Sequence, residues 1–218
     1  FKDVLSWPLE NLVYASDVLT EDQKQKLKEE VEKNFIRKLS EQAEEIELSE
    51  SIPVALDWIN GRRTPDANQE LKSAIMNLSL GSKAPHIFKA LVNAICFGSK
   101  MIVDRFEQEG VRIDSVIGIG GVARKSPFIM QSLANVLNMP IKVASSDEAP
   151  ALGAAIYAAV AAGIYLNVVE AAKKLGSSYE AEYYPQEETI QEFARHMESY
   201  TELSRFVEQN VSQKKQKV

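Results

Sequence analysis

The sequence predicts an α/β fold. Between residues 113 and 162 two strand-like apolar runs alternate with two helix-like ones, an order that implies parallel strands joined by a helical crossover. The first run ends in Gly118, Gly120 and Gly121, three glycines within four positions, which read as a strand, a tight turn and the start of a helix. Apolar residues make up 45% of the 218 residues, enough for one sizeable core. The strands are few for this length. With Phe1 opening in the middle of an amphipathic pattern and no initiating methionine, partner elements are expected upstream.

In chain order, Phe1, Val4, Leu5, Leu9, Leu12 and Val13 keep a rough helical rhythm that Pro8 should interrupt. Thr20-Glu21-Asp22-Gln23 has the form of a capping box, in which the Thr20 hydroxyl and the Gln23 side chain satisfy opposite backbone donors. It opens a charged helix over residues 20–46, where Leu27, Val31, Phe35 and Leu39 step by four and Ile36 restores the 3.6-residue face. This helix either covers a flank or binds a partner. Residues 47–52 read as a loop, residues 54–59 as a strand closed by Asn60-Gly61, and residues 62–68 as a polar loop. A long helix begins near Ser82 and Pro85 and ends at Gly110, with Ile87, Leu91, Ala94, Ile95, Gly98, Ile102 and Phe106 on one face. Strands over 113–119 and 141–144 flank a helix over 126–138 that carries Ile129, Met130, Leu133 and Leu137 and stops at Met139-Pro140. A helix of small residues spans 149–162, and the chain from Val168 onward reads as helical and polar.

The net charge of −6, from 31 acidic and 25 basic residues, argues against a general nucleic-acid surface. The basic tail, Lys214, Lys215 and Lys217, reads as a solvated terminus. Cys96 is the single cysteine and sits in an apolar helical pattern, so it is expected to be a buried, inert thiol in a reducing, cytoplasmic compartment. No signal peptide or membrane-spanning apolar run is expected. His86 lacks an accompanying ligand set, so no metal site is expected, and His196 lies uninformatively in the polar tail.

The glycine segment is the best candidate for a nucleotide site, because glycine lets a flat ligand approach the backbone. Its pattern is Gly-x-Gly-Gly, with neither the dinucleotide spacing nor a terminal Gly-Lys-Ser or Gly-Lys-Thr. It is therefore either a structural βα turn or a ligand loop.

Four segments, in order, resemble the C-terminal half of the FGGY carbohydrate kinases. They are Ala55-Leu56-Asp57-Trp58-Ile59-Asn60-Gly61-Arg62-Arg63-Thr64-Pro65-Asp66-Ala67-Asn68; His86-Ile87-Phe88-Lys89-Ala90-Leu91-Val92-Asn93-Ala94; Gly118-Ile119-Gly120-Gly121 with Lys125-Ser126-Pro127; and Ala151-Leu152-Gly153-Ala154-Ala155. The first is the most specific and is similar to the branch of the family that acts on L-ribulose. Asn93 departs from the pattern, which usually has an acidic residue there. The resemblance implies a truncated ribonuclease-H-like domain of the actin and sugar-kinase type with additional helices. Residues 1–170 would be the C-terminal kinase domain, incomplete on its N-terminal side, and residues 171–218 a helical tail.

The implied reaction is transfer of the ATP γ-phosphoryl group to the terminal hydroxyl of L-ribulose with Mg²⁺. The family's catalytic aspartate would precede Phe1, so no catalytic residue is expected in this chain and the fragment alone should be inactive. Asp57 and Asp66 are expected to be structural. The nucleotide would rest on Gly118, Gly120, Gly121, Val122, Lys125 and Ser126, with Ala151, Leu152 and Gly153 as the opposite wall. Ser126 either donates to adenine or ribose or caps its helix, Lys125 either approaches a phosphate or is solvated, and the alanines serve the wall, helix–sheet packing, or both. Gln131 lies one turn on. Arg62 and Arg63 make either a cleft contact or a surface ion pair. Expected partners are ATP or ADP and, through the missing N-terminal part, the sugar; a homodimer is possible, and neither nucleic acid nor membrane is expected. Two other readings stay open: another pentulose kinase of this family, and a non-catalytic nucleotide-binding or scaffold module.

Overall fold

The computed structural model describes residues 2–48 and 52–215, with side chains described for 3–48 and 52–211. The expectations for Phe1, for the middle of the 47–52 loop and for the basic tail side chains lie outside the described residues.

Helix α1 (Lys2–Pro8) does not break at its proline. It widens into a π-helical turn, Leu9–Val13, in which the Tyr14 N–H donates to the Leu9 carbonyl at 2.9 Å. The wide turn follows the proline, whose missing N–H leaves the carbonyl four residues back without its helical donor. Helix α2 (Glu21–Glu44) carries the expected box: the Gln23 N–H donates to Thr20 Oγ1 at 3.3 Å, and the Thr20 N–H to Gln23 Oε1 at 2.9 Å. Its packed seam is the uncorrected four-step one, with Leu39 and Ala43 buried and Phe35 against the core, while Ile36 is 50% exposed. The seam is needed only toward the C-terminal end of α2, so its drift around the helix is never corrected. There Lys89, buried on the next helix, donates to the carbonyls of Ala43 (3.1 Å) and Ile46. These bonds satisfy the Ala43 carbonyl in the last turn of α2 and the Ile46 carbonyl just past its end. Burial pulls the Lys89 pKa down.

The expected strand over 54–59 is shorter: β1 (Val54–Ala55) pairs antiparallel with β2 (Ile75–Met76), which the sequence reading missed. The chain turns away at Asp57. Helix α3 (Ala84–Gln108) is wrapped by α2, β1 and the helices described below. Phe88, Ala90, Val92, Ala94, Cys96 and Phe97 are all buried, whereas Ile95 and Phe106 are 52% and 49% exposed. The expected single apolar face is thus corrected to burial on several sides. Contrary to the sequence expectation, α3 is long and apolar enough to cross a membrane, but 56% of that window is buried within the protein, as in a core helix.

Strands β3 (Val116–Gly118) and β4 (Ile141–Ala144) are parallel, and β4 pairs antiparallel with β5 (Tyr179–Tyr183), a strand absent from the sequence reading. The order is β3-β4-β5. Helices α4 (Gly120–Lys125) and α5 (Pro127–Leu137) connect the parallel pair; α6 (Ala149–Ala161) and α7 (Val168–Leu175) lead to β5, and α8 (Glu187–Lys215) follows. One core joins α2, α3, α5 and α8, with Phe193, Tyr200 and Leu203 supplied by α8. A smaller one, around Ala123, Met130, Ala134, Leu137, Ile141 and Val143, supports the sheet. Only Ile156 of α6 is buried, and Ala151, Ala154, Ala155 and Ala158 are exposed. Helix–sheet packing therefore does not account for those alanines; α6 leans on α7.

Candidate nucleotide site

Because β3 and β4 run parallel, with Gly118 opposite Val143, their C-terminal ends lie side by side. Helix α4 springs from one end and α6 from the other. In α/β sheets this edge is where ligands bind. The glycines are not a free turn: Gly120 and Gly121 are the first turn of α4, behind the extended residue Ile119.

The three glycines do different jobs. A Cβ at Gly118 would stand 2.9 Å from Met130 Cε and 3.1 Å from Ala123 Cβ, so its bareness lets β3 pack on the helices. Gly120 has φ +83°, a conformation that L side chains rarely adopt, and neither Gly120 nor Gly121 would place a Cβ within 4 Å of any other group. Val122 is 63% exposed and Ala123 is buried, so the helix turns its glycine face outward. Beside it lies an open hollow of about 420 Å³ lined by Gly121, Arg124, Lys125, Asp147, Glu180 and Ala181.

Of the expected site residues, Gly121 and Lys125 line this hollow. Gly120 and Val122 adjoin it in sequence, and Ala151, Leu152 and Gly153 form the first turns of α6 on the same sheet edge, with open space where a Gly153 Cβ would be. Ser126 precedes α5 but makes no side-chain cap bond, which corrects the capping alternative; its N–H donates to the Val122 carbonyl at 3.1 Å. The sequence reading missed Arg124, Asp147 and Glu180. Arg124 pairs with Asp147 and, from Nε, with Glu180 at 2.6 Å. The adjacent carboxylate holds the proton on the guanidinium more tightly. Asp147 could have been suspected from its place just ahead of α6, whereas Glu180 sits on the unforeseen strand β5.

The signature segment 55–68 lies elsewhere and is locked internally. Tyr200 Oη donates to Asp57 Oδ1 at 2.9 Å, and a Cβ at Gly98 would stand 2.8 Å from Asp57 Oδ2, so glycine in α3 makes room for this carboxylate. Burial raises the Asp57 pKa, and the Tyr200 bond partly opposes it. The Tyr200 hydroxyl is in turn pushed well above the ordinary range, first by burial and then by the Asp57 charge. Arg62 pairs with Glu208, donates from Nε to the Asp66 carbonyl at 3.0 Å and lies 5.1 Å over the Trp58 ring. Arg105 pairs with Asp66 at 2.7 Å. Asp57 and Asp66 thus have structural work, Arg62 is tied to α8, and Arg63 is exposed. Gln131 donates to the Tyr184 carbonyl at 2.8 Å, holding the segment before α8. Asn93 is buried with no partner for Oδ1. His86 Nδ1 accepts from the Lys83 N–H at 3.3 Å, and among the described residues no three His, Cys, Asp or Glu gather as a metal-ligand set.

Residues 1–162 match the profile of the FGGY family of carbohydrate kinases, C-terminal domain. The chain belongs to the FGGY family. Similar FGGY relatives include the ribulokinase of Vibrio parahaemolyticus, 43% identical over 213 residues (96% of this chain, 36% of that protein), and the ribulokinase of Bacillus licheniformis, 39% identical over 171 residues (75% and 31%). The chain spans about a third of the length of these curated relatives. Among solved FGGY-type structures, the xylulose kinase from Rhodospirillum rubrum superposes with a TM-score of 0.70 at 20% identity, covering 81% of this chain and 35% of that one. The Plasmodium falciparum glycerol kinase with ADP gives 0.64 at 18% identity, covering 92% and 36%. These two share the fold: a sugar-kinase domain of mixed α/β build, here mostly helical.

Proposed function

We propose that this chain is the nucleotide-binding C-terminal domain of a ribulokinase, which transfers the ATP γ-phosphoryl group to the terminal hydroxyl of L-ribulose. The observation that carries this reading is the open backbone of Gly120 and Gly121 at the C-terminal edge of two parallel strands. The similarity to ribulokinases supports the choice of sugar.

In this reading the purine and ribose lie on Gly120, Gly121 and Val122. Ser126, with no side-chain cap bond, is free to donate to the adenine edge or ribose, and Lys125 faces the phosphates. Ala151, Leu152 and Gly153 form the other wall, where the amino end of α6 favours an anion. Gly118 serves by fitting β3 against α4 and α5. Mg²⁺ commonly binds through substrate phosphates plus one or two carboxylates, so in this reading it would enter the site with the ATP phosphates. The base that takes the proton of the sugar hydroxyl is, in this reading, not among this chain's residues. In this reading the kinase domain is not closed off at residue 170, because the segment that follows adds β5 to its sheet and α8 to its core. Alone, the 218 residues turn over no sugar; the encoded enzyme is cytoplasmic.

The test is coupled-assay turnover by the protein as its gene encodes it, with ATP and L-ribulose, D-xylulose or glycerol. The highest kcat/KM is expected for L-ribulose. A preference for D-xylulose would move the protein to another pentulose-kinase activity, and loss of every sugar reaction with ADP binding intact would leave a non-catalytic nucleotide module.

A further inference from the structure

We infer that Arg124 is a positioning residue for the nucleotide, a cross-brace that sets the width of the hollow beside Gly121. The inference rests on the nucleotide reading of that hollow and extends it. Three separate segments meet there: the helix that starts with the glycines, the β4–α6 connection and strand β5. One guanidinium from the first reaches a carboxylate on each of the others, Asp147 and Glu180. Arg124 and Glu180 are 26% and 31% exposed at their side chains, so this pair is partly shielded, whereas Asp147 is 80% exposed. A planar, multi-donor cation is the side chain suited to hold two carboxylates at once. Glu180 also ties the C-terminal segment to the site, since β5 pairs with β4 and would otherwise be a remote edge strand.

With its charge neutralised by two carboxylates, Arg124 does not serve as the phosphate-binding cation; Lys125, exposed beside it, is left for that role. Removing the brace therefore loosens the walls around the nucleotide and leaves the sugar side untouched.

The experiment is steady-state kinetics on the protein as its gene encodes it, with the variants Arg124→Ala, Arg124→Lys, Glu180→Gln, their double combinations and Gly121→Trp, each checked for an unchanged thermal midpoint. Arg124→Ala is expected to raise KM for ATP about fivefold, the scale of a partly shielded ion-pair network. KM for the sugar should stay within about twofold on the same scale. Arg124→Lys should recover part of the loss, and Arg124→Ala with Glu180→Gln should be less than additive. Equal increases in both KM values, or strict additivity, would overturn the brace. So would an unchanged ATP KM in Arg124→Ala alongside a raised one in Gly121→Trp. An unchanged ATP KM in Gly121→Trp would instead remove the hollow as the nucleotide site, and the brace with it.

Discussion

Residues 54–108 with α8 and residues 116–175 meet in one molecule but finish differently. In the first region charged groups of the signature segment are answered within the protein: half-buried Asp57 by Tyr200, largely shielded Arg62 by Glu208, and exposed Asp66 by Arg105. Trp58 is 2% exposed and Tyr200 is fully buried. In the second, the backbone at Gly120 and Gly121 faces open space, and Tyr157, Ile164, Leu166 and Val169 are between 65% and 87% exposed. The contrast teaches that the most family-specific residues are not automatically the ligand-facing ones. Here they build the frame, while the plainer glycine segment presents the surface.

The comparison can be broken by stability measurements. Trp58→Ala should cost about 3–5 kcal/mol in urea unfolding, as for other large buried aromatics. Tyr157→Ala on α6 should change stability by no more than about 0.5 kcal/mol. Similar losses for the two would erase the distinction between frame and open face. Tyr200→Phe removes the donor to Asp57 and should cost about 1–3 kcal/mol.

The same pair gives a pH signature. Burial makes folded Asp57 hold its proton above the ordinary value of 3.8. Its contribution to stability is therefore full below that value and is lost as pH rises through the raised one. Asp57→Asn should flatten that part of the stability profile, and an unchanged profile would show that Asp57 is not the group responsible. A smaller effect is expected at the periphery: Thr20→Ala should cost about 1 kcal/mol through loss of the α2 cap. The smallest is at Cys96, fully buried with its thiol pushed up to about 12 by desolvation. It should resist a thiol reagent in the native state and react once the chain is unfolded in denaturant; rapid native labelling would show the α3 core to be open.

What the sequence made legible follows from where each signal is stored. Strand β4 was read with its observed bounds because its buried apolar residues follow directly on Pro140. The α2 start was legible because a capping box is local chemistry. Strand β5 was not, since Tyr179-Glu180-Ala181-Glu182-Tyr183 mixes charge with aromatics and becomes a strand only by pairing with β4. Ile95 and Phe106 were assigned to the packed side of α3 by spacing, but the positions of α2, α5 and α8, which no local pattern records, decide which side is open. At the hollow, the turn at Gly120 and Gly121 was legible from glycine spacing after an apolar run, whereas the ion pairs of Arg124 depend on the fold bringing Asp147 and Glu180 to it.

The most direct test is an ADP titration of the protein as its gene encodes it, followed by the amide resonances of Gly120 and Gly121. The account predicts the largest saturable shifts at those two amides and at Ala151 to Gly153, with Tyr200 and Glu208 undisturbed. Saturable binding that leaves both glycine amides unmoved would contradict it.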